Sequence, residues 1–230
     1  MIKFFRTIRK SFLLEGKTKG YIVYAIGEIV LVVIGILIAL SINNWNASSQ
    51  SNHAKVVVLS KIEDEIKNNK KEISNANPIN QNILKAYNEY SKLFNKTSAE
   101  VIASSQEFRR LQNKYPGFFR VKDSSRLDAQ KLLYEGGTTI GLDIPDLTSI
   151  AWETTRTIGV ANEFDYDCLY ELENTYNLQA RVKREIDKAS DVLLKGDSDA
   201  LFRILRVLNQ LELQLLDSYD EMLTKMVDCK

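Results

Sequence analysis

The 230-residue sequence has one histidine, His53, two cysteines, Cys168 and Cys229, and three prolines. Each shortage excludes something. A lone histidine, in a polar stretch with no Cys, Asp or Glu at helical ligand spacing, cannot build a zinc set. It also leaves a Ser-His-Asp triad only His53 to draw on, and no Gly-x-Ser-x-Gly is present. Three prolines and ten glycines leave long stretches free of helix breakers. Net charge is missing too: 31 basic against 30 acidic residues give no overall pull toward nucleic acid. Glu15-Gly16-Lys17-Thr18 echoes the end of a phosphate-binding loop, but Ser11 stands where that motif needs glycine. Gly136-Gly137 lacks the following lysine, and Asp165-Tyr166-Asp167 lacks the glycine and terminal glutamate of a calcium loop. No catalytic residue, metal site or cofactor is expected. The chain does not read as an enzyme.

What is present is strongly segregated. Residues 1–20 carry Lys3, Arg6, Arg9, Lys10, Lys17 and Lys19 against a lone Glu15. Ile2, Phe5, Ile8 and Phe12 fall close to one helical face of this stretch, as in a short basic amphipathic segment lying on an inner leaflet. Residues 21–42 follow with a single charge, Glu28, and 14 of these 22 residues are Ile, Val or Leu. As a helix this run reaches about 33 Å, enough for a hydrocarbon core of about 30 Å. Its apolar side chains contribute about −0.3 to −0.6 kcal/mol each and outweigh one carboxyl costing about 3 kcal/mol. Tyr21 and Tyr24 at one end and Trp45 past the other are placed as interfacial anchors. Six basic residues precede the run, and the next twenty hold only Lys55 and Lys61. The N-terminus is therefore expected in the cytoplasm and residues 43–230 outside it. A cleaved signal peptide is the rival reading. The length of the run, Glu28 within it and the large n-region weigh against cleavage.

Within the run, Glu28, Gly35 and Ala39 fall about 20° to either side of one line at 100° per residue. Gly35-x-x-x-Ala39 is a small-xxx-small pattern that lets a second helix approach closely, and a carboxyl facing lipid is costly. The expectation is an interaction face on the span, packed against a second copy or another membrane protein.

Beyond the span, residues 43–52 read as a linker or weak helix continuation, and 53–230 as an all-α domain. Val58, Ile62, Ile66 and Ile73 mark a helix to about residue 75. Pro78 fits the first turn of the next, with Ile79, Ile83, Tyr87, Tyr90 and Phe94 at helical spacing. Thr97 or Ser98 is expected to cap a helix through Val101, Ile102, Phe108 and Leu111. A short helix is expected near 127–135, and another from Asp143 to about Gly159; only 117–122 and 138–142 are candidates for β-structure. Residues 166–194 and 198–228 lack Gly and Pro, and Gly196-Asp197-Ser198 supplies a stop and a cap between them. Leu201, Ile204, Leu208, Leu211, Leu215 and Met222 form a seam, broken by Ser218, facing Leu169, Leu172, Tyr176, Ile186 and Leu193. This predicts a long antiparallel hairpin. Folded at Gly196, it sets Cys168 opposite residue 224, about 7.5 Å of helix rise from Cys229, and a small tilt brings the pair into disulfide range. Tyr115, Phe118, Phe119, Trp152, Tyr166, Tyr170 and Tyr176 line either a ligand pocket or, as is more usual at helical spacing, a core.

The stretch Tyr24-Ala25-Ile26-Gly27-Glu28-Ile29-Val30-Leu31-Val32-Val33-Ile34-Gly35-Ile36-Leu37-Ile38-Ala39-Leu40, followed by Ile42-Asn43-Asn44-Trp45-Asn46, resembles the signature of a family of small bacterial single-span membrane proteins known only as a domain of unknown function. The basic start, Met-Ile-Lys-Phe-Phe, and Gly16-Lys17-Thr18 resemble it too. The resemblance implies an inner-membrane protein with a periplasmic domain and supplies no activity. Three functions fit: a membrane-anchored helical interaction or scaffold module; a periplasmic ligand-sensing domain using the aromatic set; or an accessory subunit of a transport or energy-coupling complex using Glu28, by layout alone.

Overall fold

A computed structural model describes residues 18–229, the side chains of Thr18, Lys19 and Tyr21 excepted. The basic segment 1–20 lies almost wholly outside the described residues, and so does the Tyr21 side chain. The fold is mostly helical, with a small sheet. It divides into two compact units, one ending at Ala54 and one running from Lys55 to Lys230.

The first unit is the apolar part of α1 (Thr18–Tyr90), a helix of 73 residues. Its most apolar 18-residue window has a mean hydropathy of 2.8 and buries nothing. Among the described residues it is the one helix long and apolar enough to cross a membrane. Residues 43–52 are helical. So are residues 75–78, where a break is expected from sequence, and Pro78 lies inside α1. A proline there removes one backbone hydrogen bond and costs about 3 kcal/mol against alanine. Continuity therefore depends on what packs around it.

The second unit corrects the all-α expectation. After α1 come β1 (Phe94–Asn95), β2 (Thr97–Ala103), α2 (Ser105–Lys114), β3 (Phe119–Arg126) and β4 (Leu132–Thr138), the strands forming an antiparallel sheet in the order β1-β2-β4-β3. The helix expected through Val101 and Ile102 is β2, where side chains alternate: Val101 and Ala103 are buried, their neighbours half-exposed. The cap of the following helix is Ser104, which accepts from the Glu107 N–H at 3.2 Å. The short helix expected near 127–135 is instead the β3–β4 connection, 127–131, and the start of β4. Gly136 is a strand residue: a Cβ there would lie 2.0 Å from the Arg120 carbonyl oxygen, so the β3–β4 approach requires glycine.

The helix expected from Asp143 begins only at Ile150. Residues 139–149 form a strap without regular secondary structure, followed by α3 (Ile150–Thr157) and a 3-10 turn (Val160–Glu163). The hairpin comes last. α4 (Tyr166–Lys195) is capped by Asp165 and stopped by Gly196 at φ 72°; α5 (Ser198–Lys225) is capped by Asp197. The two are antiparallel: Thr175 meets Ser218 at 3.0 Å and Lys225 meets Glu171 at 2.5 Å. Ser218, the break in the seam, is thus matched by a hydroxyl. Leu172, Val182, Leu201, Leu208 and Leu215 close the core with Leu59, Ile62, Ile66 and Ile73 of α1.

Candidate functional site

On the span, Gly35 and Ala39 are exposed and Glu28 half-exposed, and a Cβ at Gly35 would meet no atom within 4 Å. Tyr24 is half-exposed, and Trp45 is 74% exposed. Cys168 and Cys229 are bonded, with Cα atoms 5.5 Å apart. Beside the bond lies an open groove of about 500 Å³ lined by Asp165, Asp167, Tyr170, Glu171, Lys225 and Asp228.

The aromatic set does not converge. Tyr115 and Phe118 border a second open groove, of about 470 Å³, against Ile79, Ile83 and Ala86. Phe119 is buried against Tyr90, and Trp152 stacks on Tyr176 with ring centres 5.7 Å apart. Tyr166 and Tyr170 stack on each other at the surface. His53 is exposed. Among the described residues no group of three or more His, Cys, Asp or Glu is arranged to hold a metal ion.

The sequence reading missed a layer of buried polar side chains around the strap. Asn69 and Asn80 lie eleven positions apart on α1, about 16.5 Å of helix rise and the same face. Each grips one strap residue by both backbone groups. Asn69 donates to the Thr148 carbonyl at 2.7 Å and accepts from its N–H at 3.0 Å; Asn80 does the same with Asp143 at 2.8 and 3.0 Å. Five extended residues also span about 16.5 Å, so the strap runs antiparallel along α1 with matched pitch. Pro145 and Leu147 turn inward. Gln179 adds a second donor to the Thr148 carbonyl at 2.8 Å, and Lys183 holds the Leu147 carbonyl at 3.0 Å.

Glu65 completes this layer. It is 8% exposed and takes four donors: the Ala151 N–H at 2.9 Å, the Trp152 N–H at 3.4 Å, the Thr148 hydroxyl at 3.3 Å and the Tyr176 hydroxyl at 2.6 Å. The first two are the open N–H groups of the α3 N-terminus, which Ser149 leaves uncapped. Glu65 therefore caps α3 from another helix, where a negative charge is favoured by the helix dipole. Burial, then the Glu65 hydrogen bond, push the Tyr176 hydroxyl far above its ordinary value, so it remains a donor. Burial does the same for Tyr219, which donates to Gln179 at 2.7 Å. Every one of these groups is occupied in holding backbone or another side chain. A signal was available: Asn69, Asn77 and Asn80 continue the three-and-four spacing of Ile62, Ile66 and Ile73, and Gln179 falls in the α4 seam the same way.

Residues 28–115 match the model of a family of unknown function, DUF6090, in agreement with the resemblance carried by the span. No curated protein and no solved structure matches the chain.

Proposed function

We propose that this chain is a membrane-anchored helical scaffold, not an enzyme, whose span pairs with a second copy through Glu28, Gly35 and Ala39. The observation that carries the reading is the Gly35-x-x-x-Ala39 spacing in line with Glu28, in an apolar window that buries nothing. Such a face suits close helix approach in lipid. The domain beyond it uses its buried polar groups on its own backbone, which fits a structural role better than a chemical one. The aromatic residues that a ligand sensor needs are divided among separate places, so the sensing reading is not favoured.

The reading places the domain in the periplasm of a bacterial inner membrane. Two features support that: the basic flank before the span, and the Cys168–Cys229 bond, which persists in oxidising compartments. Cysteines introduced singly in native membranes test the face, with the native pair left in its bond. Glu28→Cys, Gly35→Cys and Ala39→Cys are expected to give homodimer bands well above those of Val30→Cys, Val33→Cys and Leu37→Cys. Equal bands around the helix would refute the face; crosslinks on it to a different membrane protein would replace the second copy as occupant.

A further inference from the structure

Residues 74–82 of α1, Ser-Asn-Ala-Asn-Pro-Ile-Asn-Gln-Asn, are poor material for a helix. Pro78 offers no N–H to the Ser74 carbonyl, and serine and asparagine favour other local hydrogen bonds. The helix nevertheless runs through. What holds it comes from outside. Asn80 is fixed to the strap at Asp143, and Asn77 donates to Asn209 Oδ1 at 3.1 Å and to Glu212 Oε2 at 2.7 Å, both on α5. Gln81 donates back to Asn77 Oδ1 at 2.9 Å.

Glu212 is the unusual member. It is 1% exposed, and its second oxygen, Oε1, is buried with no hydrogen-bond partner. A neutral carboxyl tolerates such a place far better than an anion does. Burial holds its carboxyl above the ordinary range, and the Asn77 hydrogen bond opposes this only in part. Among the described residues no charged group on the neighbouring elements offsets this burial. Lys70 of α1 is engaged with Asp220, Lys183 of α4 with the Leu147 carbonyl, and Lys188 with Glu185. α1 is anchored independently on either side. Toward Lys55 it is held by Glu65 and Asn69, toward Tyr90 by the stack of Tyr87 on Phe202. An opening at 74–82 therefore leaves both anchors in place.

We propose that Asn77, Pro78 and Glu212 form a proton-controlled latch on α1: the neutral Glu212 carboxyl keeps the helix closed over Asn77, and its ionisation releases the helix at Pro78. The sign follows from the raised folded-state value. The latch is firmest below the ordinary carboxyl range and weakens as pH rises through the folded value.

Hydrogen exchange of the full chain in nanodiscs tests this from pH 5 to pH 8, each rate divided by the unstructured-chain rate at that pH. Peptides within 74–86 are expected to exchange faster as pH rises, by about tenfold for each unit by which burial raises the carboxyl. Peptides within 59–70 are expected to stay flat. Glu212→Gln keeps an acceptor for Asn77 and is expected to remain slow and flat. Pro78→Ala restores the missing backbone bond and is expected to slow exchange within 74–86 at every pH while the swing remains, because Glu212 is intact. A flat wild-type profile, a swing that survives Glu212→Gln, unchanged rates in Pro78→Ala, or a swing shared equally by 59–70 overturns the proposal. Should Glu212→Gln fail to fold, the wild-type profile and the rates of Pro78→Ala still decide it.

Discussion

The two ends of the Lys55–Lys230 unit are held together in different ways. Toward Lys55, α1, α3, α4 and the close of α5 meet through Glu65, Asn69, Tyr176, Gln179 and Tyr219, with the disulfide beyond them. Toward Tyr90, α1, α2 and the sheet meet through rings. Tyr87 lies on Phe202 with centres 3.5 Å apart, Phe108 on Tyr134 at 3.8 Å, and Tyr90 packs between Phe118 and Phe119. The difference follows from the backbone each end must cover. A sheet satisfies its own N–H and C=O groups, so apolar rings can fill the space beneath it. The strap and the start of α3 satisfy nothing of themselves, so side chains on neighbouring helices supply the hydrogen bonds. At these two ends the polar layer covers the irregular backbone, and the rings of Tyr90, Phe108 and Phe119 cover the sheet.

The largest expected effect breaks the polar end directly. Glu65→Leu keeps the volume roughly but leaves two backbone N–H groups and two hydroxyls without their acceptor, and should destabilise by about 5 kcal/mol. Phe119→Leu at the ring end loses only packing and should cost about 1–2 kcal/mol. Urea unfolding of the two variants compares them. A larger loss for Phe119→Leu would mean that the polar layer is not what secures its end.

A somewhat smaller effect comes from the bond that closes the same end. Cys168 and Cys229 are 61 positions apart, and in the chain-entropy model removing a bond over such a loop costs about 4 kcal/mol. The double substitution Cys168→Ser and Cys229→Ser should therefore lower the unfolding midpoint, and reductant should lower the wild type to match it. Hydrogen exchange should speed up mainly in 166–172 and 222–229, while 97–103 and 132–138 keep their protection. A uniform rise across both ends would show that the ends do not open separately.

These contrasts also explain what the sequence disclosed. The hairpin was legible because its signals are local: two breaker-free stretches, Gly196 in a left-handed turn, Asp165 and Asp197 as caps, and a leucine seam. The helix long and apolar enough to cross a membrane was legible for the same reason, its Ile, Val and Leu residues being contiguous. The sheet was not. β2 looks helical when Val101 and Ile102 are read with Phe108 and Leu111, and β4 carries two glycines; the two strands pair across 29 to 35 positions of chain. The strap was illegible because the groups that fix Thr148 and Asp143 sit on Asn69 and Asn80, 79 and 63 positions earlier. Asparagines among isoleucines on α1 were the visible trace of that layer.

The smallest effect gives the sharpest contrast, because the same atom is removed at both ends with opposite expected signs. Tyr176 donates its hydroxyl to the Glu65 carboxylate at 2.6 Å. Tyr176→Phe removes that donor, leaves a buried anion with three partners instead of four, and should destabilise by about 2 kcal/mol, within the range for hydrogen bonds to charged groups. Tyr90 is fully buried among Phe108, Phe118 and Phe119, and its hydroxyl has no hydrogen-bond partner. Burial alone pushes that hydroxyl up to about 12. Tyr90→Phe removes a desolvated polar group that gains nothing in return, so it should stabilise by about 1 kcal/mol. Unfolding midpoints of the full chain in one detergent, read at equal denaturant slope, give both signs in one series. Destabilisation by both substitutions would mean that Tyr90 has a partner at the ring end. Stabilisation by both would mean that Glu65 holds α3 without help from Tyr176.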